Sequence, residues 1–119
     1  MTAREKINYI EFSASDIAAT KAFFEAAFGW DFVDYGPEYT SFSDAGFSGG
    51  FYHSPLMAST DQGSALVVLL SDDLEETQAR VERAGGKVVK PIFSFPGGRR
   101  FHFTEPSGNE LAVWSEGEG

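Results

Sequence analysis

From Ile7 to Ser13 the chain alternates between apolar and polar residues. Past Ser15-Asp16 the spacing changes, and Ile17, Thr20, Phe23, Phe24, Ala27 and Phe28 recur on one helical face. The first period predicts a strand and the second an amphipathic helix. Ser15 or Asp16 can cap that helix, and Gly29 can end it in the left-handed conformation. Short β-rich runs follow at Phe32–Tyr35, Tyr39–Ser43 and Phe47–His53, with turns at Gly36-Pro37 and Asp44-Ala45-Gly46.

The pattern then occurs a second time. Ser15-Asp16-Ile17 lies over Asp72-Asp73-Leu74, which aligns Thr20 with Thr77, Glu25 with Glu82, Gly29 with Gly86 and Phe32 with Val89. Ala65–Leu70 predicts a strand. Asp72 or Asp73 caps a helix that turns Leu74, Thr77, Val81 and Ala84 inward, and Gly85-Gly86 stops it. Further strands fall at Lys87–Val89, Arg100–Thr104 and Leu111–Trp114. The unit is therefore βαβββ in each half: module one over 7–53, a polar connector over 54–64 and module two over 65–115. Duplication predicts a pseudo-symmetric α+β domain spanning 1–119, with a cleft between its halves. The segment Pro91–Gly98 reads as a loop that either packs over an open end of the sheet or closes on a ligand, and the tail from Ser115 reads as frayed.

Composition narrows the partners. A formal charge of −9 repels phosphate backbones, which argues against nucleic acid. The chain has no cysteine, which excludes disulfides, thiolate metal sites and Cys nucleophiles. Together with the lack of an apolar run at Met1–Lys6, this predicts a cytoplasmic protein. No stretch approaches the roughly 18 apolar residues of a membrane span.

The pairing of YIEFSASDIAATKAFFEAAFGW with LLSDDLEETQARVERAGGKVVKP, closed by FTEPSGNELAVW, resembles the vicinal oxygen chelate superfamily of glyoxalases, bleomycin resistance proteins and extradiol dioxygenases. The resemblance implies that the two modules curve their sheets into a cup with the helices outside. It also implies a homodimer. In its enzymes the first and last strand of each module supply His, Gln or Glu ligands to one divalent metal, which stabilises an enediolate or catecholate. Those positions fall here on Tyr9 and Leu66, and on Gly50 and Ala112. One phenol and three side chains without donors cannot hold an ion. The expectation is therefore a metal-free cup without a cofactor, binding a small organic molecule.

Alternation adds candidates to Tyr9, Leu66 and Ala112. Tyr52 and Trp114 share the cup face and offer planar surfaces. Glu11 and Glu110 fall on it too. A carboxylate between Ile10 and Phe12 would carry a desolvation cost unless paired, which suits a general base or a hydrogen-bonding anchor. His102 faces away from Phe101 and Phe103, into the cup beside Arg100, or is a strand histidine satisfied by backbone or water. Arg99 and Arg100 read as a fork for a ligand anion or as ion-pair partners. Asn109 reads as a turn residue.

Three alternatives stay open. One is a lyase or dioxygenase with a shifted metal set of Glu11, His102 and Glu110; another is an acid–base enzyme using Glu11; the third is a module whose cup is filled by its own side chains. An acidic cup with aromatic walls favours a cationic or planar ligand.

Overall fold

The computed structural model describes residues 5–117. Residues 1–4 and 118–119, on which the leader and tail expectations partly bear, lie outside the described residues. Module one contains β1 (Tyr9–Ala14), α1 (Ile17–Phe28), β2 (Asp31–Asp34), β3 (Tyr39–Ser43) and β4 (Ser48–His53). Module two contains β5 (Val67–Leu70), α2 (Leu74–Arg83), β6 (Lys87–Phe95), β7 (Gly98–Thr104) and β8 (Glu110–Glu116). Each forms a four-stranded sheet in the order first, last, third, second: β1-β4-β3-β2 (sheet A) and β5-β8-β7-β6 (sheet B). The first and last strands run parallel, the helix carries the chain from the first strand to the second at the far edge, and the remaining strands pair as antiparallel hairpins.

Local chemistry sets these bounds. Asp16 and Asp73 are the caps, accepting from the amides of Ala19 and Glu76. Gly29 closes α1 at φ 72°, a conformation that costs glycine little. The predicted loop at Pro91–Gly98 is instead strand. Residues 87–95 run as β6, and a register shift between Lys90 and Phe93 accommodates Pro91, which has no N–H for the ladder. Only Pro96-Gly97 turn the hairpin, so the lid expectation has no segment to act on. Likewise Ser115 and Glu116 belong to β8 and are not a frayed tail.

One face of each sheet packs into a phenylalanine-rich core. Phe24 stacks on Trp30 with ring centroids 4.4 Å apart and on Phe51 at 5.5 Å, while its neighbour Phe23 meets Phe103 of sheet B at 5.7 Å. Helix α1 thus touches both sheets and ties the modules together. A buried polar knot does the same. Glu105 accepts from the Thr20 hydroxyl at 2.5 Å, from the amides of Ser107 and Asn109, and from the Asn109 side chain at 2.7 Å. Asn109, fully buried, also donates to the Ser13 carbonyl and accepts from the Ala58 amide. It is therefore an inter-module staple and not merely a turn residue. Among the described residues no helix is long and apolar enough to cross a membrane.

Candidate functional site

With Phe12, Phe42 and Phe51 turned into the core, the opposite face of sheet A carries Tyr9 and Glu11 of β1, Tyr39 of β3, and Gly50 and Tyr52 of β4. Tyr39 Oη donates to Glu11 Oε2 at 2.9 Å and lies 2.5 Å from Tyr9 Oη. Its single proton being committed to the carboxylate, Tyr9 donates to Tyr39. Burial, then the bonds to Tyr9 and Glu11, hold the Tyr39 phenol above its ordinary pKa. Glu11 is exposed, so the desolvation that suggested a general base is absent. Tyr52 is 43% exposed at the end of the same face.

On sheet B the core takes Phe101, Phe103, Leu111 and Val113, which leaves Lys90, Phe93, Arg100, His102, Ala112 and Trp114 on the open face. His102 is only 3% exposed and its Nδ1 lies 2.8 Å from Glu110 Oε2. Glu110 Oε1 accepts from the amide and hydroxyl of Thr60, at 2.8 and 2.9 Å. Burial pushes this carboxyl upward, but the bonds from His102 and Thr60 outweigh it and hold Glu110 below its ordinary pKa. An ionised carboxylate only accepts, so Nδ1 carries the proton. His102 Nε2 is buried and has no partner among the described residues.

The two arginines separate. Arg99 forms a two-pronged pair with Glu75, which lowers the Glu75 pKa. Arg100 makes no such pair among the described residues, and its Cζ lies 5.3 and 5.5 Å from the ring centroids of Phe93 and Phe95.

Glu11 is bonded within sheet A, whereas His102 and Glu110 are bonded to each other on sheet B, so the shifted set Glu11–His102–Glu110 is not assembled. No group of three His, Asp or Glu able to hold an ion occurs among the described residues. The family's own ligand positions fit a metal no better. A side chain at Gly50 would run into the Tyr39 hydroxyl, so Tyr39 fills the space into which a β4 ligand would project. Ala112 is fully buried opposite His102 and Val68. Tyr39 and Thr60 were not singled out in sequence because their roles depend on contacts across strands and across the connector. The β6 bulge hid Phe93 and Phe95 in what read as a loop.

A cavity of about 1000 Å³ lies between the edge strands β1 and β5, walled by Phe12, Phe28, Trp30, Phe47 and Leu66 among others. Val68 and Leu70 border it and also stand opposite Ala112 and Trp114, so β5 links the cavity to the open face of sheet B. Of the predicted site residues only Leu66 reaches this cavity.

The chain matches the Glyoxalase/Bleomycin resistance protein/Dioxygenase superfamily over residues 6–113. It is 31% identical over 127 aligned positions to the anthracycline biosynthesis protein DnrV of Streptomyces peucetius, covering 92% of this chain but only 46% of that relative. The chain thus spans less than half the length of that curated relative. Among solved structures, the fold is similar to a glyoxalase-related enzyme from Fulvimarina pelagi (TM-score 0.78, 19% identity, covering 94% of this chain and 88% of that one). It is also similar to the fosfomycin resistance protein FosX of Listeria monocytogenes (TM-score 0.78, 15% identity, covering 98% and 96%). With two βαβββ modules and a family match spanning both, the chain belongs to the glyoxalase/bleomycin resistance protein/dioxygenase superfamily.

Proposed function

We propose that this protein binds a small planar organic molecule on the open faces of its sheets, without the divalent metal used by enzymes of its family. One observation carries the reading. The four family ligand positions present a hydrogen-bonded phenol (Tyr9), a glycine roofed by Tyr39 (Gly50), a half-buried leucine (Leu66) and a buried alanine (Ala112). Such positions supply no donor set for a cation, and an organic molecule would instead meet the exposed aromatic side chains nearby. Tyr52 and Trp114 supply flat surfaces, and the likeness to an anthracycline biosynthesis protein supports a ligand of fused rings. The outer edges of β1 and β5, unpaired among the described residues, with Val68 and Leu70 exposed beside the latter, support a homodimer. A cysteine-free sequence supports a cytoplasmic setting.

The test is metal content after purification without chelators, combined with melting-temperature shifts on adding Mn²⁺, Fe²⁺, Ni²⁺ and Zn²⁺ or a panel of planar compounds. Stabilisation by a planar compound and by none of the ions is expected. Stoichiometric metal, lost on Glu110→Ala or His102→Ala, would replace this reading with a metal-dependent lyase or dioxygenase.

A second reading, an acid–base enzyme, is favoured by the His102–Glu110 pair in place of Glu11. The carboxylate fixes Nδ1–H and leaves Nε2 to take a proton. Chemical conversion of a bound compound, seen by mass spectrometry and abolished by His102→Gln, would support it.

A further inference from the structure

We propose that the ligand of the sheet B face is a planar organic anion recognised through Arg100; this rests on the small-molecule reading above and adds the sign of the ligand's charge. The starting point is a guanidinium without an acceptor. Arg80, Arg83 and Arg99 each donate to a side-chain oxygen, whereas Arg100 meets none among the described residues. On a chain with 18 Asp and Glu against 9 Lys and Arg, carboxylates are plentiful, yet none is placed against it.

The surroundings fix Arg100 without neutralising it. Phe93 and Phe95 lie against the guanidinium and its Nε is buried, while its terminal nitrogens are not. Trp114 stands opposite Arg100 in the ladder, with its ring 6.2 Å from that of Phe95. The rings therefore restrict the fork in advance and form an aromatic shelf beside it. Two residues along the same face of β7, His102 Nε2 is buried without a partner, and with the proton on Nδ1 it can accept but not donate, so the donors of this site are those of Arg100. Lys90, opposite His102, adds positive charge, and Glu110 is already committed to His102 and Thr60.

A cationic ligand offers the exposed terminal nitrogens of this fork no acceptor, and a neutral amide offers them a single carbonyl oxygen. A carboxylate in its plane accepts two parallel N–H bonds while an attached ring lies on the shelf. The net charge of the chain suggested a cationic partner; the local charge of this face reverses that sign.

The test compares 2-naphthoate, 2-naphthamide and 2-naphthylmethylammonium, which share one ring system and differ in charge. Binding is followed by amide shifts in β7 and β8 and by the shift of the Trp114 indole N–H. Naphthoate is expected to bind at least about tenfold more tightly than the amide. Arg100→Met, which keeps the apolar stem, should abolish that preference, and Arg100→Lys should retain part of it, both variants melting as the parent does. Equal or tighter binding of the amide or the ammonium compound at β7 and β8 would overturn the anion inference and leave the small-molecule reading standing. No response to any of the three would count against both. If Arg100→Met changed the sedimentation of the protein, Arg100 would belong to a subunit contact and the inference would fall.

Discussion

A methyl group added at Gly50 would meet the Tyr39 phenol and approach the Thr40 carbonyl oxygen to 2.9 Å, and the backbone oxygen cannot step aside as a flexible side chain can. Gly50→Ala is therefore expected to displace Tyr39, break the Tyr9–Tyr39–Glu11 chain and cost about 1–3 kcal/mol of stability in urea denaturation. Tyr39→Phe keeps the ring, loses only the hydroxyl, and should cost about 1 kcal/mol or less. If the two variants were equally destabilised, steric displacement would not be the cause. Glu110 gives a pH dependence of defined sign. Its folded-state pKa lies below the ordinary carboxylate value, so its contribution is complete above that value and is lost as pH falls through the folded pKa. Melting temperature should fall on acidification through this range, and Glu110→Gln should flatten part of that slope. An unchanged slope would show that the Thr60 and His102 bonds do not favour the ionised form.

The elements are held across the duplication by side chains that propensity does not reveal. Glu105 is 2% exposed and gathers donors from Thr20 on α1 and from Ser107 and Asn109 in its own turn. Glu105→Ala leaves those donors buried without an acceptor and is expected to cost about 2–3 kcal/mol, with Glu105→Gln costing less, as measured by denaturant unfolding. A cost confined to a few tenths would mean that water replaces the carboxylate. The periodicity of Ile17 to Phe28 and of Leu74 to Ala84 made both helices legible, because each must bury one stripe against a sheet. Alternation likewise put Glu11, His102, Arg100 and Trp114 on open faces. It could not show that His102 turns to Glu110, that Arg99 pairs with Glu75 while Arg100 does not, or that Tyr39 roofs Gly50. Those outcomes depend on register and on a bulge in β6, which bring together residues far apart in sequence.

For the whole molecule, the open question is what meets the outer edges of β1 and β5. Neither has a second strand neighbour among the described residues, and Val68 at 41% and Leu70 at 60% exposure border the cavity between them. Unpaired backbone groups beside exposed apolar side chains invite pairing with another chain, and a closed twofold arrangement satisfies both edges without open-ended assembly. Sedimentation equilibrium should accordingly give a dimer at micromolar concentration. Leu70→Asp, which places a charge on the exposed face of β5, should shift it towards monomer while leaving the far-ultraviolet circular dichroism unchanged. A dimer would allow the acidic, tyrosine-lined face of one sheet and the Arg100 face of the other to border the same ligand from different subunits. In that case naphthoate binding by the parent protein should weaken on dilution below the concentration at which the dimer dissociates. A parent protein that sediments as a monomer would confine recognition to one sheet at a time, and naphthoate affinity should then not change with protein concentration.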